Sequence, residues 1–300
     1  FVTIIADIKD YEVIEQLFNT FRPDVVYHAA AYKHVPMMED NPSQAIFTNV
    51  LGTKNVADLS QKYKVERFVM ISTDKAVNPS SVMGASKRIA EMYVQSKHYK
   101  NKLSNEKQTK FITTRFGNVL GSNGSVVPLF TKQIQEGGPI TITHPEVIRY
   151  FMTIPEACQL VLEACSMGKG GEIYIFDMGK PVKIIDLAKK MIRLAGFIPD
   201  KDISIKIVGL RPGEKLFEEL LNDSAKNLAT HHEKITITEE IFDEFDKLLM
   251  QINELIAISK TGNNEKIVAG MKKIVPEFKS MNSIFQTLDT DVNDFYVNTK

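Results

Sequence analysis

Over the first 117 residues, short β-branched runs alternate with amphipathic stretches of helical length, and a layered α/β fold is the architecture that satisfies both periods. Residues 2–6 are strand-like and lead into the turn Asp7-Ile8-Lys9-Asp10. A helix is predicted over 11–21, ended by Arg22-Pro23, because the residue before a proline disfavours the helical conformation. Residues 24–28 read as a strand, 42–63 as a long helix, 67–72 as a buried strand and 83–99 as a second long helix. A polar Lys/Asn/Ser-rich loop then precedes a strand over 110–116. Strand, helix, strand at this spacing predicts right-handed βαβ units in a parallel sheet.

Beyond residue 117 the strand-like pieces shorten to 140–143, 172–178 and 203–208. Helices are predicted between them near 155–166, 183–195 and 214–222. From about Glu239 to Asp289 the chain reads as charged and helical, without recognisable chemistry. The predicted layout has three parts. A Rossmann-like doubly wound parallel sheet occupies 1–117. A smaller mixed α/β substrate-binding region occupies 118–225, with 150–180 returning to the sheet. A mostly helical extension covers 226–300.

A dinucleotide-binding sheet of this kind opens with a strand, Gly-x-Gly-x-x-Gly and a helix, whose N-terminus receives the pyrophosphate. No such motif precedes Asp7. Gly117, Gly121 and Gly124 follow a strand, but at the wrong spacing. Val126-Val127-Pro128 comes next rather than a clean helix start, so these glycines read as a substrate loop. The chain opens without Met on Phe1-Val2-Thr3-Ile4-Ile5, a strand already under way. The expectation is an N-terminally truncated α/β chain lacking its glycine-motif unit.

Lys and Arg total 37 and so do Asp and Glu, so no net charge draws the chain to nucleic acid, and no such partner is expected. No run of about 18 apolar residues is present to span a bilayer. A cytoplasmic location is expected, with membrane attachment only through sequence not present here. Cys158 and Cys165 fall on one face of a predicted helix, too far apart to bridge, and are expected to be buried structural thiols. No metal-site spacing occurs.

Individually the polar motifs are ambiguous. Asp7 after an apolar run reads equally as a turn or helix cap. His28-Ala29-Ala30-Ala31 ends a strand in small residues, which suits either helix packing or a flat ligand at the carboxyl edge of the sheet. Ser72-Thr73-Asp74-Lys75 ends a buried strand, and Met83 and Lys87, four apart, share a helix face. Strand-end polar groups facing a helical lysine make a candidate acid/base site.

Their order is more specific. Asp7, His28-Ala29-Ala30-Ala31-Tyr32-Lys33-His34-Val35, Asn49-Val50-Leu51-Gly52-Thr53, Ser72-Thr73-Asp74-Lys75-Ala76, Met83-x-x-x-Lys87, Arg115-Phe116-Gly117-Asn118-Val119 and Arg211-Pro212-Gly213-Glu214 follow one another. Together they resemble the extended short-chain dehydrogenase/reductase family, in particular its polysaccharide-biosynthesis branch of UDP-N-acetylglucosamine 4,6-dehydratases. The resemblance covers about residues 1–225. It implies a tightly bound, recycled NAD or NADP and a UDP-sugar substrate. Asp7 and Ile8 would lie by the adenine, and Ala29, Ala30, Ala31, Lys33, Asn49 and Ser72 would line the cofactor. Lys87 would bind the nicotinamide ribose, and Lys33 would also approach the substrate. Asn118, Arg211 and Glu214 would hold the uridine diphosphate, with Ser125, Val126 and Arg149 bordering it.

The family's usual tyrosine, four residues before the lysine, is replaced by Met83, whose thioether cannot act as general acid or base. This resembles the methionine-bearing subgroup, which is associated with retention at C5. The implied chemistry oxidises C4, eliminates water across C5 and C6 and returns hydride to C6. Asp74 is the candidate acid and Lys75 the candidate base, with burial expected to raise the first pKa and lower the second. Thr73 would help pass the C4 hydroxyl proton. A homo-oligomer is implied, through helices 42–63 and 83–99. The alternatives are a C5-inverting dehydratase and a non-catalytic nucleotide-sugar or dinucleotide-binding protein.

Overall fold

The structure, a computed structural model, describes residues 1–102, 109–219, 227–238, 240 and 244–289. Helix α1 (Tyr11–Phe21) begins where the Asp10 carboxylate accepts from the Val13 amide. It ends at Arg22, whose backbone is left-handed, directly before Pro23. There follow β1 (Val25–His28), α2 (Val35–Asp40), α3 (Pro42–Ala45), a π-helical segment (Ile46–Gly52) and α4 (Thr53–Lys62). Next come β2 (Arg67–Thr73), α5 (Val82–Lys102), β3 (Lys110–Phe116), α6 (Val126–Gln135) and α7 (Ile154–Met167). The chain continues through β4 (Ile173–Phe176), α8 (Ile184–Leu194), β5 (Asn227–Ala229), β6 (Ile235–Thr238), α9 (Phe245–Ser259) and α10 (Asn264–Ile274).

These six strands form one sheet in the order β1-β2-β3-β4-β6-β5. β1 to β4 run parallel, and β6 is antiparallel to both its neighbours. Phe68, Val69 and Met70 of β2 are fully buried, because helices cover both faces of a parallel sheet. Pairing of Ser72 with Arg115 and of Thr73 with Phe116 brings the carboxyl ends of β2 and β3 level. A separate core of Phe130, Ile134, Ile142, Ile184, Ile192 and Ile203 lies where α6 and α8 pack beside Ile140–Ile142 and Ile205–Ile207, which pair in parallel.

Several expectations need correction. Residues 2–6 are not a strand: no described strand lies beside them to take up their backbone groups, and Phe1 and Ile5 are fully exposed. The long helix over 42–63 is interrupted by the π-helical segment. There the buried Asn49 side chain is held by the Tyr32 backbone and Ser86, and Gly52 admits Ile8, whose Cδ1 would lie 2.4 Å from an added Cβ. A helix does start at Val126, with Pro128 inside a first turn that needs no amide donor. Residues 214–219 are irregular rather than helical, because Arg149 takes the carbonyls of Lys215 and Leu216 at 2.8 and 3.2 Å. The rest of that predicted helix, 220–222, lies outside the described residues, as does much of the polar loop at 103–108. Cys165 is buried but Cys158 is exposed.

The helices α9 and α10 are part of the main core. Ile252, Leu255, Ile267 and Met271 share one buried cluster with Ile46, Val50, Ile89 and Tyr93 from the first half of the chain. They therefore pack against the same helices to which the resemblance assigns a subunit contact. Among the described residues, no helix is long and apolar enough to cross a membrane, and no group of His, Cys, Asp or Glu is arranged to hold a metal.

Candidate active site

The site is built where β2 ends. The strand stops at Thr73, and Asp74–Ala76 form a 3-10 turn. After a short loop α5 begins, its Val82 amide donating to Glu39 Oε1 at 2.7 Å. Gly84 lets this helix lie directly on the turn, since an added Cβ would sit 2.2 Å from the Lys75 carbonyl oxygen. Met83 and Lys87 are thereby carried to the face of the Thr73-Asp74-Lys75 cluster. A cavity of about 500 Å³ opens there. Ala29, Ala31, Lys33, Ser72, Thr73, Lys75, Met83 and Lys87 line it. So do Asn118, Ser125, Val126, Arg149, Arg211 and Glu214, with Asn118 Oδ1 3.2 Å from Lys75 Nζ.

Five of the residues singled out lie elsewhere. Asp7 is exposed and pairs with Lys9, and Ile8 packs on Gly52. Ala30 does not face the cavity, and Asn49 is fully buried behind it, tying the Tyr32 backbone to Ser86 on α5. Asp74 is buried just behind the wall, its Oδ1 accepting from Thr73 Oγ1 at 2.7 Å and from Lys75 Nζ at 2.9 Å.

Lys75 Nζ also donates to Asn118 Oδ1 at 3.2 Å and lies 3.7 Å from Glu218 Oε1. Burial depresses its pKa, but the carboxylates of Asp74 and Glu218 outweigh burial, so the pKa is raised. The expected lowering is therefore not found: in this site Lys75 is an ammonium. Lys87 shows the lowering instead. Burial brings it down to about 8, and its Nζ donates to the Ile71 carbonyl at 2.7 Å. His28 is held down to about 3 by burial and by Lys87. It stays neutral, bonded to Thr53 Oγ1 at 2.8 Å, and supports the end of β1.

Also lining the cavity, Glu214 Oε1 accepts from Thr143 Oγ1 at 2.9 Å and from Arg149 at 3.3 Å, and its Oε2 accepts from the Arg211 amide at 3.1 Å. Arg149 is thus largely committed to holding the 214–216 backbone. Ser125 Oγ is buried without a partner among the described residues, at the head of α6, which has no side-chain cap. An unpaired hydroxyl and free helix amides in a cavity suit an anionic ligand.

The residues present fit one end of a nicotinamide dinucleotide. Small side chains at Ala29 and Ala31 leave the strand end open to a flat ring, and Lys87 offers an ammonium whose single protein bond uses one of three donors. No glycine turn of the pyrophosphate-binding kind lies among the described residues. Glu218, Thr143 and Glu39 were missed from the sequence. Glu218 follows Glu214 by four, and a helical reading of that stretch hides the fact that both carboxylates fold back into the cavity wall.

Residues 1–240 match the family model described as "Polysaccharide biosynthesis protein". The chain is 58% identical over 235 residues to the capsular polysaccharide biosynthesis protein CapD of Staphylococcus aureus, a match covering 78% of this chain and 38% of CapD. It therefore spans about two-fifths of the length of that relative. Among solved structures it is similar to Pen from Bacillus thuringiensis, at 36% identity with a TM-score of 0.71, covering 79% of this chain and 72% of that one. It shares its fold with a UDP-glucose 4-epimerase of Thermus thermophilus solved with NAD, at 23% identity and a TM-score of 0.62, covering 72% of this chain and 75% of that one. The motif order, the parallel sheet and these matches lead to one assignment: the chain belongs to the polysaccharide biosynthesis protein family, on the extended short-chain dehydrogenase/reductase fold.

Proposed function

We propose that this chain carries the catalytic and UDP-sugar-binding machinery of an NAD(P)-dependent 4,6-dehydratase acting on UDP-N-acetylglucosamine with retention at C5. The observation that carries the reading is the hydrogen-bonded Thr73-Asp74-Lys75 cluster at a cavity lined also by Met83, Lys87, Arg211 and Glu214. When bound, the dinucleotide supplies the hydride acceptor and donor. Lys87, Ser72, Ala29 and Ala31 would hold its nicotinamide end. Arg211, Ser125 and the α6 amides would take the diphosphate, and Glu214 the ribose.

The chain's own residues handle protons. The C4 hydroxyl proton passes to Thr73 Oγ1 and on to Asp74 Oδ1, 2.7 Å away. In the fraction of molecules in which Lys75 holds a free amine, that amine takes the proton of C5. The electron pair of that C–H bond forms C5=C6 while the C6–O bond breaks, and the oxygen leaves as water with the proton held by Asp74. Lys75 then returns its proton to C5 from the same face, which gives retention. Met83 takes no proton; its thioether shields the site and leaves acid/base work to the 73–75 cluster.

The test is incubation of the intact protein with UDP-N-acetylglucosamine and saturating NAD, followed by NMR. A UDP-4-keto-6-deoxy sugar is expected, and its absence would sink the reading. In deuterated water the C5 configuration separates retention from inversion. Lys75→Ala should lower kcat by about 10²–10⁴-fold, the usual worth of a general base.

A further inference from the structure

One ionisable side chain in the cavity wall is assigned by neither the motifs nor the family. Glu218 lies in the irregular stretch after Gly213 with its side chain 5% exposed. Its Oε1 is 3.7 Å from Lys75 Nζ and 3.8 Å from Arg149 Nη2. A carboxylate this enclosed persists because two cations face it. Lys75 is correspondingly held between two carboxylates from distant parts of the chain, Asp74 at 2.9 Å and Glu218 at 3.7 Å, with Asn118 Oδ1 at 3.2 Å.

We propose that Glu218 is a positioning residue that aims the Lys75 amine and sets when that amine carries its proton. The catalytic consequence rests on the dehydratase reading; the pairing itself does not. The groups facing Lys75 are Asp74 and Glu218, which favour the ammonium, and Arg149, which opposes it together with burial. Without Glu218, only Asp74 remains to balance Arg149 and burial. The amine then sheds its proton at lower pH, and any rate that needs the free amine rises at lower pH too.

The direct test reads Lys75 without turnover. The full chain is labelled with limiting acetic anhydride across a pH series, and modification of Lys75 is followed by peptide mass spectrometry. In Glu218→Gln the midpoint should fall, so that below it Lys75 reacts about tenfold faster at a fixed pH, the effect of removing one nearby opposite charge. Glu219→Gln, at a neighbouring residue that pairs with Lys215, should leave the midpoint unchanged. An unmoved midpoint in Glu218→Gln overturns the proposal. Glu218→Asp keeps the charge one methylene further back and should give an intermediate midpoint, which decides the matter if the Gln variant does not fold. In active enzyme the ascending limb of the kcat–pH profile, along which the free amine forms, should move down by the same interval in Glu218→Gln. If the midpoint moves but the intact wild-type protein makes no 4-keto sugar, the dehydratase reading fails and the role of Glu218 stands.

Discussion

Gly84 sits where α5 crosses the Asp74–Ala76 turn, and its missing side chain is what allows the crossing. A Cβ there would meet the Lys75 carbonyl oxygen at 2.2 Å and Pro79 Cβ at 3.3 Å. The first neighbour is backbone, so relief has to come from displacement of the turn or the helix. Gly84→Ala should therefore separate Lys75 from Met83 and Lys87. We expect kcat to fall about 100-fold, as a misplacement near 1 Å does, while UDP binding by Arg211 and Glu214 holds. Steady-state kinetics with UDP calorimetry checks both; unchanged kcat would show that α5 does not position the turn. At this scale much of the site was legible in the sequence, because strand-end and helix-start motifs fix which residues meet at the sheet's carboxyl edge. The protonation of Lys75 was not. It depends on Glu218, which is brought 143 positions along the chain to that amine by a stretch whose local sequence reads as helix.

The elements around the loop that leads into α5 are tied by a segment with no motif. Between α10 and the end of the described chain, residues 279–283 run beside the loop that leads into α5. The Lys279 amide donates to Pro79 O at 3.2 Å and the Met281 amide to Ser80 O at 3.1 Å. The Gly213 amide donates to Met281 O at 2.7 Å, and Ser80 Oγ donates to Gly213 O at 2.9 Å. Gly213 has φ of +77°, and an added Cβ would lie 2.6 Å from Ser81 Cβ, so only glycine fits this junction. Glu39 completes it, accepting from the Val82 amide and from Ser283 Oγ, each at 2.7 Å. The Arg-Pro-Gly-Glu loop was visible in the sequence as a ligand motif, but its partner strap was not, since backbone hydrogen bonds leave no compositional trace. Glu39→Ala should orphan two buried donors and cost about 1–3 kcal/mol for each, read from urea unfolding. Burial raises the Glu39 pKa despite its bonds to Ser283 and Val82. The folded state therefore holds this proton more tightly than the unfolded chain. The stability so gained is present at low pH and is lost as pH rises through the folded pKa. Glu39→Gln, which keeps an acceptor without the charge, should flatten that fall; a Gln variant with the same pH dependence would exclude Glu39 as its source.

Across the whole molecule, residues far apart in sequence share one core. The largest buried cluster runs from Ile14 and Phe18 through Ile46, Phe68 and Ile89 to Ile252, Met271 and Phe285. Buried charges join the same parts. Arg115 on β3 forms a two-bond pair with Glu91 on α5 at 2.9 and 2.6 Å, and also reaches Glu240 at 3.2 Å. Arg88 links α5 to Glu240 at 2.5 Å and to Glu277 at 3.1 Å. The α/β class was legible because strand and helix periods differ. The docking of α9 and α10 was not, because an amphipathic helix declares an apolar face without naming the surface that covers it. From this arrangement we expect the C-terminal helices and the sheet to unfold as one cooperative unit. Ile252 is fully buried in the shared core. Ile252→Asp places an unpaired carboxylate there and should lower the stability of the entire sheet-and-helix body rather than loosen α9 and α10 alone. Hydrogen exchange provides the measurement. If the inference holds, amides of β2 and β3 lose protection in step with those of α9 and α10. If only α9 and α10 open while β2 and β3 keep wild-type protection, the C-terminal helices are a separate unit resting on an independently stable sheet.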